Sequence, residues 1–391
     1  MHRLYFAIAA LLVLLPALWY FGAGRGKSLP KEETLSINKV LGGSAAAGFA
    51  RSDAPRRFRF PEDHGPHAGF RNEWWYFTGN LKDAAGRRFG YQLTFFRAAL
   101  TPRPVLRSSA WGSNEVFMAH FAVTDVAGKR FRYAERFSRA ALGLAGAEGR
   151  PLSIRLEDWS ALETSVRPWS MKLSAAEADM AIELDVASLK PVILNGDGGL
   201  SRKSATPGNA SYYYSIPRLQ TSGTIRIEGE GFRVTGLSWL DREWSTSALE
   251  RDQQGWDWFA LQLDDGRDLM FYQLRRSDGS SDPFSSGTLV AADGSSRHLA
   301  RNEVQLQVAN WWTSPLSGAR YPSVWRLRVP SQGIDLEITP RLPDQELSTG
   351  FRYWEGAVAV RGLAGTPGGS GYLEMTGYPV QGRGSDKILS P

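Results

Sequence analysis

An aromatic hairpin is written twice into this chain, and the repeat restricts the fold more than any other feature. Trp74-Trp75-Tyr76-Phe77, then Leu81, a turn at Gly86 and Tyr91-Gln92-Leu93, is echoed by Trp256-Asp257-Trp258-Phe259, then Leu263, Asp264-Asp265-Gly266 and Tyr272-Gln273-Leu274. Each copy reads as a strand that enters a charged turn and returns, ending in Arg97 or Arg275, and a repeated unit of this kind predicts two related domains. The seam is expected at about 228–238, which gives a first domain over 58–230 and a second over 231–391. Short aromatic and β-branched runs recur between turn signals at 74–81, 88–98, 116–124, 130–137, 180–186, 212–217, 223–228 and 232–239, and helical periodicity is scarce, with 174–180 the only short candidate in the first half. The class is therefore all-β, with antiparallel sandwiches or barrels. A chain of 391 residues that is 42% hydrophobic and 22% charged is long enough for two such cores and too apolar to stay disordered.

The N-terminus carries a separate instruction. His2 and Arg3 precede an uncharged apolar run over 4–21, followed by Gly22-Ala23-Gly24 and then basic Arg25 and Lys27. Residues 1–24 read either as a signal peptide cleaved after Gly24 or as an uncleaved inner-membrane anchor, and both readings place the body in the periplasm or otherwise outside the cytoplasm. Residues 25–57, rich in Gly, Ala, Ser and charge, read as a linker. The chain has no cysteine, which excludes disulfides, a thiol nucleophile and Cys-based metal sites. Its charge of +6 is dispersed, with no long Lys/Arg tract and no nucleic-acid motif, so no nucleic-acid partner is expected and membrane contact is expected only through the N-terminal segment.

Three places invite chemistry. In Asn72-Glu73-Trp74-Trp75-Tyr76-Phe77-Thr78-Gly79-Asn80, strand alternation sets Glu73 with Trp75 and Phe77, and Trp74 with Tyr76 and Thr78. Rings on both faces mean that both are covered, and a carboxylate there needs a partner or a shifted pKa. His120 shares a face with Met118 and Ala122, opposite Phe117, Phe121 and Val123, and is either a satisfied structural imidazole or a proton donor facing a cavity. Asp241 and Glu243 share a face with Trp239, while Arg242 lies with Leu240 and Trp244. Two acids so placed repel, which raises one pKa and makes a general acid; the alternative is a salt-bridge network with Arg242, Arg97 or Arg275. Glu73, Asp241 and Glu243 are expected to gather in one buried cluster shared by the domains. His64-Gly65-Pro66-His67 cannot form a helical turn, and with only His120, Glu73 and Asp63 as further ligands no metal site is expected. The signatures of serine and zinc hydrolases, phosphate loops and dinucleotide sites are missing, so no cofactor is implied.

Glu73-Trp74-Trp75-Tyr76-Phe77-Thr78-Gly79, Ala119-His120-Phe121 and Trp239-Leu240-Asp241-Arg242-Glu243-Trp244, in that order, resemble the AttH-like family, which is related to carotenoid 1,2-hydratases and often labelled predicted secreted hydrolase. The resemblance covers essentially everything after about Phe58 and implies two tandem lipocalin-like β-barrels in an exported bacterial protein, often alongside an ABC-type export system. The carotenoid hydratases carry an Asp-His-Asn-Trp motif and a later Tyr-x-Asp motif for acid/base chemistry. Here the first resembles Asp241-Arg242-Glu243-Trp244, with Arg for His, and the second Tyr272-Gln273-Leu274, without the Asp, departures that argue against hydration of a carotenoid itself. The expected function is an exported binding protein for a hydrophobic or lipid-like ligand, serving an ABC-type transporter. Glu73, Trp74, Trp75, Arg97, Trp239, Arg242, Trp244 and Tyr272 would contact the ligand. The alternative is an acid/base enzyme of the hydro-lyase type acting on an apolar alkene, with Asp241, Glu243 and His120 as its catalytic groups.

Overall fold

The computed structural model describes residues 47–246 and 249–380; the segment expected as signal or anchor, and most of the expected linker, lie outside them. Among the described residues there is no α-helix, and the strands build two antiparallel sheets, one of thirteen strands and one of ten. The first sheet runs from Arg130–Arg139 through Glu115–Asp125, Arg88–Ala99 and Asn72–Lys82 to Glu230–Ser245, Ala210–Ile227 and Met180–Ser188, and ends through four shorter strands at Ala145–Gly149. It curls on itself around one core. Phe121 meets Trp159 edge-on at 5.6 Å, and Arg136 crosses from the opposite edge to sit 4.5 Å from the same indole. The second sheet, centred on Gln253–Leu263, Gly369–Thr376 and Arg352–Gly362, wraps its own core around Phe259, Trp325 and Trp354. The architecture is two tandem antiparallel barrels or half-barrels.

Both aromatic hairpins form, with Gly86 (φ 83°) and Gly266 (φ 88°) supplying left-handed backbone in their turns. Period-two alternation then sends Trp75 and Phe77 into the first core and Phe259 into the second, while Tyr76 and Trp258 face the space between the sheets. The echo breaks on the return strand. Tyr91 pairs with Gly79, whereas Tyr272 pairs with Trp258, the counterpart of Tyr76 and so three residues short of Gly79's place. An odd offset reverses faces, so Tyr91 enters the first core and Tyr272 the space between the sheets.

Two expectations are corrected. The seam does not fall at 230/231 but between Ser245 and Gln253, because the long strand Glu230–Ser245 pairs with both Asn72–Lys82 and Ala210–Ile227 in the first sheet. Glu228 (φ 50°) and Gly229 (φ 82°) are a two-residue hairpin turn with both residues left-handed, the geometry that matches strand twist, so the start of the expected seam is a turn inside the first sheet. Residues 174–180 are no helix: Trp169–Glu177 pairs with Met180–Ser188 around Ala178 (φ 46°). Met171, Leu173, Ala175, Ile182 and Leu184 alternate into the core, and that burial outweighs the helix propensity of alanine.

The sheets meet closely at Gly90, where an added Cβ would stand 2.7 Å from the Ala357 Cβ. Three strands further along each sheet the Asp268 carboxylate accepts Lys190 Nζ at 2.6 Å and Arg218 Nη2 at 2.7 Å, tying the second sheet to the first. Toward the other end of the hairpin, large rings hold the sheets apart.

Candidate active site between the sheets

That separation leaves a cavity of about 150 Å³, walled by Trp74, Tyr76 and Phe96 of the first sheet and by Trp256, Trp258, Tyr272, Leu274 and Phe351 of the second. Four acids, Asp241, Glu243, Glu355 and Glu374, and one cation, Lys203, open onto it. Strand register sets their positions: Asp241 lies opposite Tyr76 and Glu243 opposite Trp74, while Glu374 lies between Trp258 and Glu355.

Ser215 Oγ and Tyr213 Oη donate to Asp241 Oδ1 at 2.5 and 2.9 Å, and Oδ2 makes no well-formed hydrogen bond. The Trp239 indole N–H lies close enough to favour the charged carboxylate without reaching hydrogen-bond geometry. Burial dominates, and with the charge of Glu243 it lifts Asp241 from 3.8 to about 7 against those donors. Glu374 keeps part of its surface open to the cavity, yet the surrounding protein strips it of bulk water. Burial, reinforced by Asp241 and Glu243, raises it to about 8 although Trp256 Nε1 donates to it at 3.0 Å. Glu355 is pushed well above the carboxylate range by burial and by Glu374, while Tyr76 Oη and Gln92 Nε2 donate to its oxygens. Glu243 is held differently, accepting from Ser211 Oγ and ion-paired to Lys203 Nζ at 3.1 Å. Burial opposes the Lys203 charge, but Glu243 and Tyr272 more than compensate and raise its pKa. Near neutral pH the chamber thus combines proton-bearing carboxyls with a salt-bridged one, the division of labour that general acid and general base require.

His120 stands one residue behind the wall. Glu135 Oε1 accepts from His120 Nε2 at 2.9 Å, which leaves Nδ1 to accept the Tyr353 hydroxyl at 2.5 Å. Tyr353 lines the cavity, so Glu135, His120 and Tyr353 form a chain of proton carriers that ends there. Burial lowers the His120 pKa more than Glu135 raises it.

Of the residues singled out by sequence, Asp241, Glu243, Trp74 and Tyr272 line the cavity, and Trp239 is buried in the aromatic cluster between the sheets. Glu73, Trp75, Arg97, Arg242 and Trp244 do not contact it through their side chains; they occupy the opposite face, inside the first barrel. The expected three-acid cluster therefore does not form, since Glu73 and Asp241 point to opposite sides of one sheet. Glu73 accepts Arg242 Nη2 at 2.5 Å, Arg97 Nη1 at 2.9 Å and the His67 backbone N–H at 3.0 and 3.1 Å. Against burial, which alone would raise it, Arg242, His67 and Arg97 hold this carboxyl down at about 2. The guanidinium of Arg242 lies 3.9 Å from the Trp75 ring and donates to Gly65 O at 2.6 Å, and His67 stacks on Trp244 at 3.8 Å, so the His64 to His67 loop plugs the barrel end. Position 242, which by the motif resemblance departs from a His, faces away from the cavity, and the Arg found there leaves the cavity acids in place.

Sequence reasoning missed Glu355, Glu374, Tyr353, Tyr213 and Lys203. For the two glutamates the signal was present: Tyr353-Trp354-Glu355-Gly356 and Tyr372-Leu373-Glu374-Met375 each set an acid in an aromatic strand, as at Glu73.

The AttH-like family model matches residues 51–378. Among solved structures, a candidate AttH from Nitrosomonas europaea is similar at a TM-score of 0.76 with 35% identity, covering 85% of this chain and 100% of that one. Kievitone hydratase from Nectria haematococca reaches 0.64 with 13% identity, over 84% of this chain and 95% of its own. CghA, solved with Sch210972, reaches 0.52 with 12% identity, over 84% and 96%. At such low identity the last two similarities establish the shared architecture alone. No curated protein matches significantly.

Proposed function

The chain belongs to the AttH-like family, and from that premise we propose that it is an acid/base enzyme of the hydratase or isomerase type, acting on an apolar, alkene-bearing small molecule in the cavity between its barrels. The observation that carries this reading is Asp241: a buried carboxyl that holds its proton to about pH 7, with Oδ2 unengaged, in a chamber of aromatic faces. An apolar carrier has no use for four acids in its wall, because burying them costs free energy that apolar side chains would spare.

In this mechanism Asp241 donates its proton to one alkene carbon, so the π bond breaks and a C–H bond forms. The cation that develops on the other carbon faces the rings of Trp74 and Trp258. Water adds to that carbon and gives up a proton to the Glu243 carboxylate, or a neighbouring C–H is lost instead and the double bond shifts. Tyr353, backed by His120 and Glu135, links the chamber to a proton reservoir at its edge. A kievitone hydratase with the same architecture is in keeping with this chemistry. Export rests on the run over 4–21, and service to an ABC-type system on the family resemblance.

The test begins with mass spectrometry of small molecules extracted from natively purified protein. The ligand is then incubated with fresh protein in D₂O. Wild type is expected to give a product with a new C–D bond, and the hydrated product gains the mass of one heavy water. Asp241→Asn should retain the ligand and form no product. A ligand that co-purifies and returns unchanged from wild type replaces the enzyme with a carrier.

A further inference from the structure

The connection over 100–114 joins Arg88–Ala99 to Glu115–Asp125, and it presents apolar side chains to solvent: Leu106 is fully exposed, Trp111 is 59% exposed, Leu100 52% and Val105 51%. The loop is built to hold them outward. Leu100 N donates to Asn114 O at 2.8 Å, and the Asn114 side chain clamps Val105 twice, accepting from its N–H at 3.0 Å and donating to its carbonyl at 3.2 Å. A closed loop with an apolar tip is a compact surface element of the kind that carries function. Exposed Arg103 and Arg107 are its only charged residues.

We propose that this loop docks the protein onto an anionic lipid bilayer, as a second membrane contact besides the N-terminal segment. Three observations favour lipid over a protein partner. Arginines among Leu, Val and Trp match an interface of phosphate headgroups over acyl chains. The chain arriving from the linker enters the fold at this loop, since a Cβ on Gly48 would stand 3.0 Å from the Pro102 Cγ. The chain that comes before reads as export signal or membrane anchor. The strand ends beside the loop, Ala98 and Val116, line a second, apolar cavity of about 90 Å³ that shares Trp74, Phe96 and Phe351 with the main one. The docking reading is independent of the acid/base chemistry, because a carrier would dock in the same way.

The absence of cysteine makes the test direct. Leu106→Cys and, as a reference at an exposed site, Ser331→Cys are introduced singly into the full-length chain and labelled with an environment-sensitive nitrobenzoxadiazole dye. Each is mixed with phosphatidylethanolamine vesicles with or without phosphatidylglycerol. The label at 106 is expected to shift to the blue and to be quenched by brominated acyl chains when phosphatidylglycerol is present, while the label at 331 stays aqueous. Arg103→Glu with Arg107→Glu should weaken the response on anionic vesicles by roughly thirtyfold or more. A label at 106 that stays as aqueous as that at 331 on vesicle-bound protein overturns the proposal. So does a shift that vesicles never elicit and a purified envelope protein does. Because the dye reports the loop itself, attachment through the N-terminal run does not imitate the expected result.

Discussion

Removing Glu73 would leave Arg97 and Arg242, both almost wholly enclosed, without their shared countercharge. Glu73→Ala is therefore expected to cost about 3–5 kcal/mol of unfolding free energy in urea titrations, while exposed Glu148→Ala stays within about 0.5 kcal/mol of wild type. Asp241 has the opposite linkage. Its folded pKa of about 7 lies above its unfolded value, so the unfolded chain releases this proton first as pH rises. Stability is lost between about pH 4 and pH 7 and levels off above, at up to about 1.4 kcal/mol per unit. Asp241→Asn should flatten that fall, and the difference between the two pH–stability curves reports Asp241 together with its coupling to Glu374. The need of Glu73 for a partner was legible from four neighbouring rings. Arg97 and Arg242 were candidates for that role from sequence, but their pairing with Glu73 alone, away from Asp241 and Glu243, was not, because the register that brings Arg242 beside it joins strands far apart in sequence.

At the scale of elements, alternation was readable wherever a strand was long: Trp75 and Phe77 inward, Tyr76 outward, Asp241 and Glu243 together. Connections were not. The seam expected from Glu228 onward begins at a hairpin turn, and Tyr91-Gln92-Leu93 looks equivalent to Tyr272-Gln273-Leu274 but sits on the other face: each turn has five residues between its closing pair, Lys82 with Arg88 and Gln262 with Asp268, but the second comes two residues sooner after the aromatic run and Tyr272 lies one residue further beyond it. Gly90 was unremarked in sequence, yet it sets the distance between the sheets. Gly90→Ala should destabilise by about 1–3 kcal/mol through overpacking against Ala357. Ala357→Gly in the same chain should recover much of that loss, giving a coupling of about 1 kcal/mol or more in a double-mutant cycle read by chemical denaturation.

For the whole molecule, the repeat announced two barrels, but not that the first is plugged by its His64 to His67 loop or that the chamber lies between them. The acids of that chamber are drawn from both barrels, Asp241 and Glu243 from one and Glu355 and Glu374 from the other. Asp241, Glu355 and Glu374 keep their protons because the closed pair of barrels buries them away from bulk solvent. Parting the barrels would return Asp241 and Glu374 toward 3.8 and 4.5. At pH 6 the wild-type chain should therefore release about two more protons on unfolding than the doubly substituted Asp241→Asn, Glu374→Gln chain. The difference is measurable by calorimetry in buffers of contrasting ionisation enthalpy. The seam is a latch: acid holds it shut, alkali loosens it, and each barrel carries half of the bolt.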